Sequence, residues 1–393
     1  MLTNAPQPLR FRADGGFTVL QISDVQDGRG LYGRSRRLLE AALDQEKPDF
    51  VVFTGDQIKG YGAAFWTGSR AQKERRCARV INAILEPLEA RGVPFTFVFG
   101  NHDHDAPMDG GEQIRIYQKS GLCHAVDTPD VPGYANHTVQ VYPVEGAKPL
   151  LNFYLLDSHG SKGVGYQPLD MAQVEWYRAT RDALRAAYGD FVPSLLFQHI
   201  PVEEIIRLYK KVPRRAKGAM EGYRIHRGAH YVLDKEKVAP GSFAGELPSC
   251  PDYNAGLFAV AKEKGDMMGM FFGHDHSNGF HGKVEGMDLG YAPSAGFTAY
   301  GAGRKRGVRV FRFRQEDVRA YETYVATDEM LLGPEAKPPL HLHIVDRVPS
   351  SFGAAKPLVR RSVIAASLTG LGIVAYSQIH RNRRFRAFLR SHL

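Results

Sequence analysis

Seven residues able to bind a metal or move a proton stand at five places along the chain: Asp24, Asp56, Asn101 and His102, His199, and His274 and His276. Each place directly follows a short apolar run. The densest is Phe271-Phe272-Gly273-His274-Asp275-His276. Side chains two apart on extended backbone point the same way, so the two histidines are expected to share one site. Gly273 is expected to let the chain turn sharply where the run ends. A histidine pair of this kind, taken alone, more often belongs to a surface or a core. Five such places in one chain are hard to reconcile with chance. Oxygen and imidazole donors together suit first-row divalent ions such as manganese, iron and zinc. Asp56 has two carboxylate oxygens and could bridge two ions. Two metals about 3.5–4 Å apart can hold a bridging hydroxide and clamp a phosphate.

The apolar runs read as strands that must position these residues. Phe17–Ile22, Asp49–Thr54 and Val93–Phe99 alternate with helical patterns over Arg34–Glu46 and Arg70–Arg91. In the first helix Leu38, Leu39, Ala42 and Leu43 fall on one face. The continuous apolar character of Phe50–Thr54 predicts a strand buried on both faces. This β-α-β-α-β opening predicts a sheet with helices packed on it, with ligands bound beyond the carboxyl ends of the strands. Further strands are expected at Leu151–Leu156, Ser194–Phe197 and Met267–Phe272, with helices over Leu169–Tyr188 and Asp252–Lys264. Gly307–Phe313 largely alternates, which predicts a half-buried antiparallel strand, with Tyr321–Ala326 a candidate to pair with it. Between Glu203 and Cys250 the periodicity fails in a basic, glycine-rich stretch that reads as a long excursion over the site.

Gly55-Asp56, Gly100-Asn101-His102-Asp103, His199 and Gly273-His274-Asp275-His276 resemble, in order and spacing, the signature blocks of calcineurin-like metallophosphoesterases. The resemblance covers about residues 17–326. Leu155-Leu156-Asp157-Ser158, Gln173-Val174-Glu175-Trp176 and Phe272 to Asn278 carry a closer likeness to plant purple acid phosphatases of the probable-inactive type and a yeast phosphatase relative. The resemblance implies an α/β fold, a four-layer α/β/β/α sandwich with mixed sheets. It implies that Asp24, Asp56 and His276 hold a first divalent metal, and that Asp56, Asn101, His199 and His274 hold a second. It implies that His102 sits beside the phosphate, where it could stabilise charge or protonate the leaving alkoxide. Asp103 and Asp275 are candidates for orienting the ligating histidines.

One position departs from the family pattern. The first block of most members is Asp-x-His, and here it is Asp24-Val25-Gln26. An amide oxygen is a harder and usually weaker ligand than imidazole. Gln26 coordinates directly, or through water, or Asp27 takes its place; Gln26 near the first metal is the favoured expectation. The change is expected to weaken that site and shift it toward manganese or magnesium. Arg224, His226 and His230 in the excursion are candidates for touching a substrate phosphate. His104, Asp105, His159 and His281 lie near the motifs without reading as ligands.

The formal net charge is +9, yet residues 357–393 hold seven arginines and no acid, so the remainder carries 9 − 7 = +2. A nearly neutral body argues against a nucleic acid as a stable partner. The three cysteines are scattered and suggest neither a disulfide framework nor a zinc ribbon. Residues 1–16 lack an apolar run, so no secretory signal is expected and a cytoplasmic location, or the cytoplasmic face of a membrane, is anticipated. The expected organisation is an N-terminal segment over 1–16, a catalytic domain over 17–326 with its excursion at 203–250, a linker over 327–357 and a basic tail over 358–393. Residues 362–379 are uncharged and flanked by arginines. A membrane span, an interfacial helix and a helix packed on the domain all remain open for them.

The expected activity is metal-dependent phosphoester hydrolysis by a metal-bound hydroxide, acting on a phosphomonoester. Nucleotide or lipid phosphodiester hydrolysis is the enzymatic rival. A phosphate-binding protein with weakened turnover is the rival from another class.

Overall fold

The computed structural model describes residues 6–342, apart from 164 and 338, together with residue 346. The compact unit that carries the site ends at Leu342. Residues 362–379 lie outside the described residues, and no helix among those described is long and apolar enough to cross a membrane.

The chain opens with β1 (Leu9–Arg10), β2 (Gly16–Ile22), α1 (Gly33–Glu46), β3 (Phe50–Thr54), α2 (Ala63–Trp66), α3 (Arg70–Glu89), β4 (Phe95–Val98), α4 (Asn101–His104) and α5 (Gly110–Tyr117). It continues with β5 (His137–Tyr142), β6 (Leu151–Leu155), the small pair β7 (Ser161–Lys162) and β8 (Gly165–Tyr166), α6 (Met171–Tyr188) and β9 (Ser194–Phe197). Then come β10 (Tyr209–Val212), β11 (Met220–Glu221), β12 (His230–Leu233), α7 (Leu257–Lys262), β13 (Met267–Phe272), β14 (His281–Val284), β15 (Met287–Tyr291), β16 (Gly307–Arg314), β17 (Glu322–Thr327) and α8 (Asp328–Leu332).

Local chemistry sets the helix ends. Ser69 opens α3 with a capping box closed by Gln72, and Asp170 opens α6 with one closed by Gln173. Gly189 ends α6 in the left-handed conformation, φ 80°. In α1 the stripe Leu38, Leu39, Ala42 and Leu43 is buried, as the periodicity predicts.

Two mixed sheets form. One runs β17-β16-β2-β3-β4, and the other β1-β5-β6-β9-β13-β15-β14. Pairs β2/β3 and β3/β4 are parallel, as are β6/β9, β9/β13 and β13/β15, while β16 and β17 close the first sheet antiparallel. The inner faces meet through Phe17, Val19, Phe50 and Val52 on one side and Phe153, Leu155, Phe197 and Phe271 on the other. Phe50 stacks on Phe153 with ring centroids 6.0 Å apart. Burying each such ring contributes about 1.5–3 kcal/mol, which holds the sheets face to face. Helices α1, α3 and α5 cover the outer face of the first sheet, and α6 and α7 that of the second. The expected α/β/β/α layering is therefore present, with mixed sheets and no barrel.

Several expectations are corrected. The helix anticipated over 252–264 spans only Leu257–Lys262. Strand β16 is not half-buried: Gly307–Phe311 is buried on both faces, because Arg309 points into the protein rather than to water. Its guanidinium donates to Tyr291 O, Phe280 O and Thr323 Oγ1, which makes a buried cation tolerable. The excursion at 203–250 holds a small antiparallel sheet, β10-β12-β11. The N-terminal segment is tied in through β1, which pairs with β5, and through buried Leu9 and Phe11. The described part of the region read as a linker is also packed. Asp328 is fully buried and takes a two-pronged bond from Arg34 (2.9 and 2.8 Å), and Leu331 joins the core. Several bonds link the sheets at their carboxyl edge. Gln21 Nε2 donates to Phe272 O at 3.0 Å, and His274 N donates to Asp24 Oδ2 at 3.0 Å. That edge is where the polar strand ends gather.

Candidate metal centre

Four of the candidate ligands occupy backbone conformations that side-chain-bearing residues seldom adopt. Asp24, Gln26, Asp56 and His274 have φ of 53°, 47°, 52° and 76°. Such positions cost on the order of 1–3 kcal/mol each and persist only where the surroundings force them. Here the forcing is visible. Asp24 N donates to Gly55 O (3.0 Å) and Gln26 N to Asp56 O (2.8 Å), so the loops after β2 and β3 hold each other. The glycines make the approach possible. A Cβ on Gly273 would lie 1.9 Å from Ser23 Oγ, and one on Gly100 would lie 2.2 Å from Asp56 Oδ1. Gly273 is therefore needed for close packing and not for a left-handed turn, which falls on His274 instead. The expected alternation along extended backbone is likewise not what gathers the histidines. His274 turns toward His199, and His276 turns toward Asp24.

The donor atoms form two adjoining groups. In one, His199 Nε2 lies 3.2 Å from Asn101 Oδ1, 3.3 Å from Asp56 Oδ2 and 3.3 Å from His274 Nδ1. In the other, ligand atoms of Asp24, Asp56 and His276 all lie within 4.8 Å of one another. His276 Nε2 stands 3.2 Å from Asp24 Oδ1. Asp56 belongs to both groups. Its Oδ2 faces His199 and Gln26, and its Oδ1 accepts the His102 backbone N–H at 2.8 Å. Gln26 Nε2 donates to Asp56 Oδ2 at 3.1 Å. The reverse amide orientation would set two oxygens against each other, so Oε1 is the atom left over. Gln26 Oε1 is a buried acceptor without a hydrogen-bond donor, and Asp24 Oδ1 has only His276 Nε2, 3.2 Å away. An orphaned acceptor costs about 1–3 kcal/mol in a dry interior, and a cation beside Gln26 Oε1 would relieve it. The donor set thus fits two divalent ions, with Gln26 Oε1 available to the first. Asp27 does not take the place of Gln26: its Oδ2 accepts the Tyr32 N–H at 2.8 Å, and it is outside the acidic group.

The supports differ from those expected. His199 Nδ1 donates to Thr54 O (2.8 Å), and His276 Nδ1 donates to Tyr300 O (2.7 Å), leaving each Nε2 toward the centre. The holders are backbone carbonyls and not Asp103 or Asp275. Asp103 accepts from the backbone of Gly100, Gln57 and Ile58, and Asp275 from Tyr291 and Ser249. Tyr300 also stacks flat on His276, with centroids 4.2 Å apart and planes at 2°, and donates its hydroxyl to Glu246 (2.9 Å). Tyr166 meets His274 edge-on at 4.5 Å. Tyr166, Tyr300 and Glu246 carried no motif. The nearest thing to a signal is Tyr300 at the end of a run of small residues.

Charge is strongly coupled at this edge. Burial alone would lower the His199 pKa, but Asp56 and Asp24 outweigh it and lift it to about 10. Burial raises the Asp56 pKa, yet His199 and His102 reverse this and hold the carboxyl well below its usual range. Metal entry must therefore displace a proton held between Asp56 and His199. Burial, reinforced by neighbouring His199, pushes His274 well below the ordinary histidine value.

His102 stands apart from the donor groups. Its Nδ1 bonds Asp105 Oδ2 at 2.9 Å, and its ring lies 4.5 Å from that of Tyr61. Burial opposes its protonation, but Asp56 and Asp105 raise its pKa on balance. The structure brings Asp24, Gln26, Asp56, Asn101, His199, His274 and His276 together. Arg224 and His226 are engaged elsewhere, Arg224 with Asp252 (2.7 and 2.8 Å from Nε) and His226 near Glu203 (3.7 Å). His104 and His159 bond Asp157 and Gln173 beneath the site.

Comparison with known proteins follows the same lines. The calcineurin-like phosphoesterase family model matches residues 17–278. The chain is 26% identical over 339 residues to probable inactive purple acid phosphatase 29 of Arabidopsis thaliana, covering 77% of this chain and 78% of that one. It is 28% identical over 348 residues to probable inactive purple acid phosphatase 14 of the same plant, covering 78% of each. It is 25% identical over 304 residues to phosphatase DCR2 of Saccharomyces cerevisiae, covering 70% of this chain and 46% of that one. Among solved structures, a dimetal phosphatase from Danio rerio aligns at 15% identity with a TM-score of 0.46, covering 79% of this chain and 98% of that one. With the family model spanning all five strand ends that carry the donor set, the chain belongs to the calcineurin-like phosphoesterase family, and its class is that of the metal-dependent hydrolases of phosphoric esters.

Proposed function

We propose that this protein is an active phosphomonoesterase that uses two divalent ions held by Asp24, Gln26, Asp56 and His276 on one side and Asp56, Asn101, His199 and His274 on the other. The observation that carries the reading is the gathering of these donors around Asp56: His199 Nε2 stands 3.3 Å from its Oδ2, ligand atoms of Asp24 and His276 lie within 4.8 Å, and Gln26, bonded to it, keeps a buried Oε1 without a donor. When bound, the two ions supply Lewis acidity toward the phosphate and a water ionised near neutral pH.

The chain's residues do the rest. Asp105 holds His102 Nδ1, so His102 Nε2 is free to give a proton to the ester oxygen as the P–O bond to the leaving group breaks. In the net reaction one water is consumed, and the phosphoester becomes inorganic phosphate and an alcohol or phenol. The oxygen-rich first site, with an amide where an imidazole is usual, supports manganese or magnesium there. The yeast relative is named a phosphatase, which supports the monoester. The composition of residues 357–393 supports tethering to a membrane surface, testable by fractionation with and without them.

The test is hydrolysis of an aryl phosphate and an aryl phosphodiester across manganese, magnesium, zinc and iron. Monoester turnover that is lost in Asp56→Asn and reduced about 100-fold or more in His102→Ala fits the assigned roles. Full activity of His102→Ala removes the acid role. No turnover of either substrate with any metal favours the second reading, a phosphate-binding protein with little turnover. Gln26 in place of histidine and the names of the plant relatives speak for that reading.

A further inference from the structure

A pocket of about 490 Å³ opens between the loop after β2 and the loop after β3. That volume is within the range occupied by small-molecule sites. The pocket touches the metal centre at two points. On one wall Thr298 donates its hydroxyl to Gln26 O at 2.7 Å. On another, Tyr61 lies against the His102 ring at 4.5 Å. A group leaving the phosphorus on the His102 side would therefore pass Tyr61 into this space. Nothing in the hydrolytic reading so far uses it.

The lining states what would fit. Tyr32 and Tyr61 are the aromatic residues of the lining, and a Cβ placed on Gly30 or Gly62 would meet nothing within 4 Å, so the lining is open at those two glycines. Two cations stand at the rim. Lys59 is half-buried, donates to Thr298 O at 3.1 Å and lies 5.2 Å from the Tyr61 centroid. Arg29 is exposed. Neither forms an ion pair among the described residues. Asp27, the acid on the lining, is 2% exposed, accepts the Tyr32 N–H at Oδ2 and attracts Lys59 from beyond ion-pair distance. A half-buried ammonium beside an aromatic wall, with no carboxylate within ion-pair distance among the described residues, is suited to an anionic group on a ring.

We infer that this pocket is a leaving-group subsite selecting aryl phosphomonoesters whose ring carries a second anion, with Lys59 and Arg29 on that anion and Tyr61 on the ring. The inference rests on the phosphomonoesterase reading for its catalytic arm only. The test compares kcat/KM for 4-carboxyphenyl phosphate and phenyl phosphate, and separately measures binding of 4-hydroxybenzoate and phenol by ligand-observed NMR. Wild type is expected to prefer the carboxylated ester by about tenfold, as one charge-assisted contact allows. Lys59→Met with Arg29→Met is expected to bring the ratio to about one and to abolish 4-hydroxybenzoate binding, with circular dichroism confirming the fold. If both esters turn over in wild type at a ratio near one, the subsite is refuted while the hydrolytic reading stands. If neither turns over but 4-hydroxybenzoate binds wild type and not the double variant, the hydrolytic reading fails and the subsite stands. Equal binding of 4-hydroxybenzoate to wild type and the double variant, or no binding to either, also overturns it.

Discussion

Replacing Gln26 by leucine separates what this residue does for the fold from what it does for the metal. In the metal-free protein the amide makes one bond and leaves one atom stranded. Its Nε2 donates to the Asp56 carboxylate at 3.1 Å, and its Oε1 is buried without a donor. A hydrogen bond to a charged group contributes about 1.5–3 kcal/mol, and a stranded buried acceptor costs about 1–3 kcal/mol. The two nearly cancel, so Gln26→Leu should change metal-free stability by no more than about 2 kcal/mol. Metal affinity should behave differently, because leucine offers no donor. Loss even of a supporting group costs 10–100-fold in affinity as a typical range, so loss of a direct oxygen donor should weaken the first site by about that much or more. Urea unfolding of the chelated protein reads the first quantity, and manganese titration followed by electron paramagnetic resonance reads the second. A first-site affinity within about twofold of wild type would show that Gln26 is no ligand. A stability loss above about 3 kcal/mol would show that Oε1 already has a partner. Gln26→His, which completes the usual block, should tighten the first site and move its preference toward zinc.

Other changes probe the frame around the centre. Gly100→Ala places a Cβ 2.2 Å from Asp56 Oδ1 and must displace that carboxylate, so metal content by mass spectrometry should fall and turnover should drop about 100-fold. Asp328→Ala leaves Arg34, which is 3% exposed, with backbone carbonyls but no carboxylate, and should cost about 3–5 kcal/mol in chemical unfolding; a loss under about 1 kcal/mol would mean that the pair contributes nothing. Burial depresses the pKa of fully enclosed His137 from 6.5 to about 4. Above pH 6.5 it is neutral in both states; below that the unfolded chain takes a proton that the folded one refuses. Stability should thus fall by up to about 1.4 kcal/mol per pH unit between pH 6.5 and 4, reaching about 3 kcal/mol, and His137→Gln should flatten the urea midpoint over that range.

Much of the centre could be read from residue type and position. Asp24, Asp56, Asn101, His199 and His274 each follow an apolar run, and such runs become strands whose carboxyl ends share one edge. What the sequence could not reveal depends on neighbours distant in the chain. Arg309 alternates with apolar residues in β16 and so looked solvent-facing, yet carbonyls of Phe280 and Tyr291 from the other sheet make its burial possible. Asp328 sits in a stretch with the composition of a linker, and only the arrival of Arg34 from α1 shows it to be a core ion pair. Arg224 looked suited to a phosphate, but Asp252 lies within reach in the folded chain and engages it.

The sequence by itself determined the alternation of strands and helices and, through its resemblance to a family, the four-layer sandwich and the family itself, because periodicity and a few spaced polar residues survive without knowledge of contacts. It also placed the doubt on Gln26. The tertiary structure decided where the two candidates point: Asp27 Oδ2 accepts the Tyr32 N–H, and Gln26 bonds Asp56 and keeps a stranded oxygen. It decided that Thr54 and Tyr300 carbonyls, rather than Asp103 and Asp275, set the histidine rings. It decided, too, that left-handed backbone at Asp24, Asp56 and His274 does the aiming that extended alternation was expected to do. A residue's type fixes which atoms it can offer, while the direction in which it offers them depends on dihedral angles imposed by packing from elsewhere in the chain.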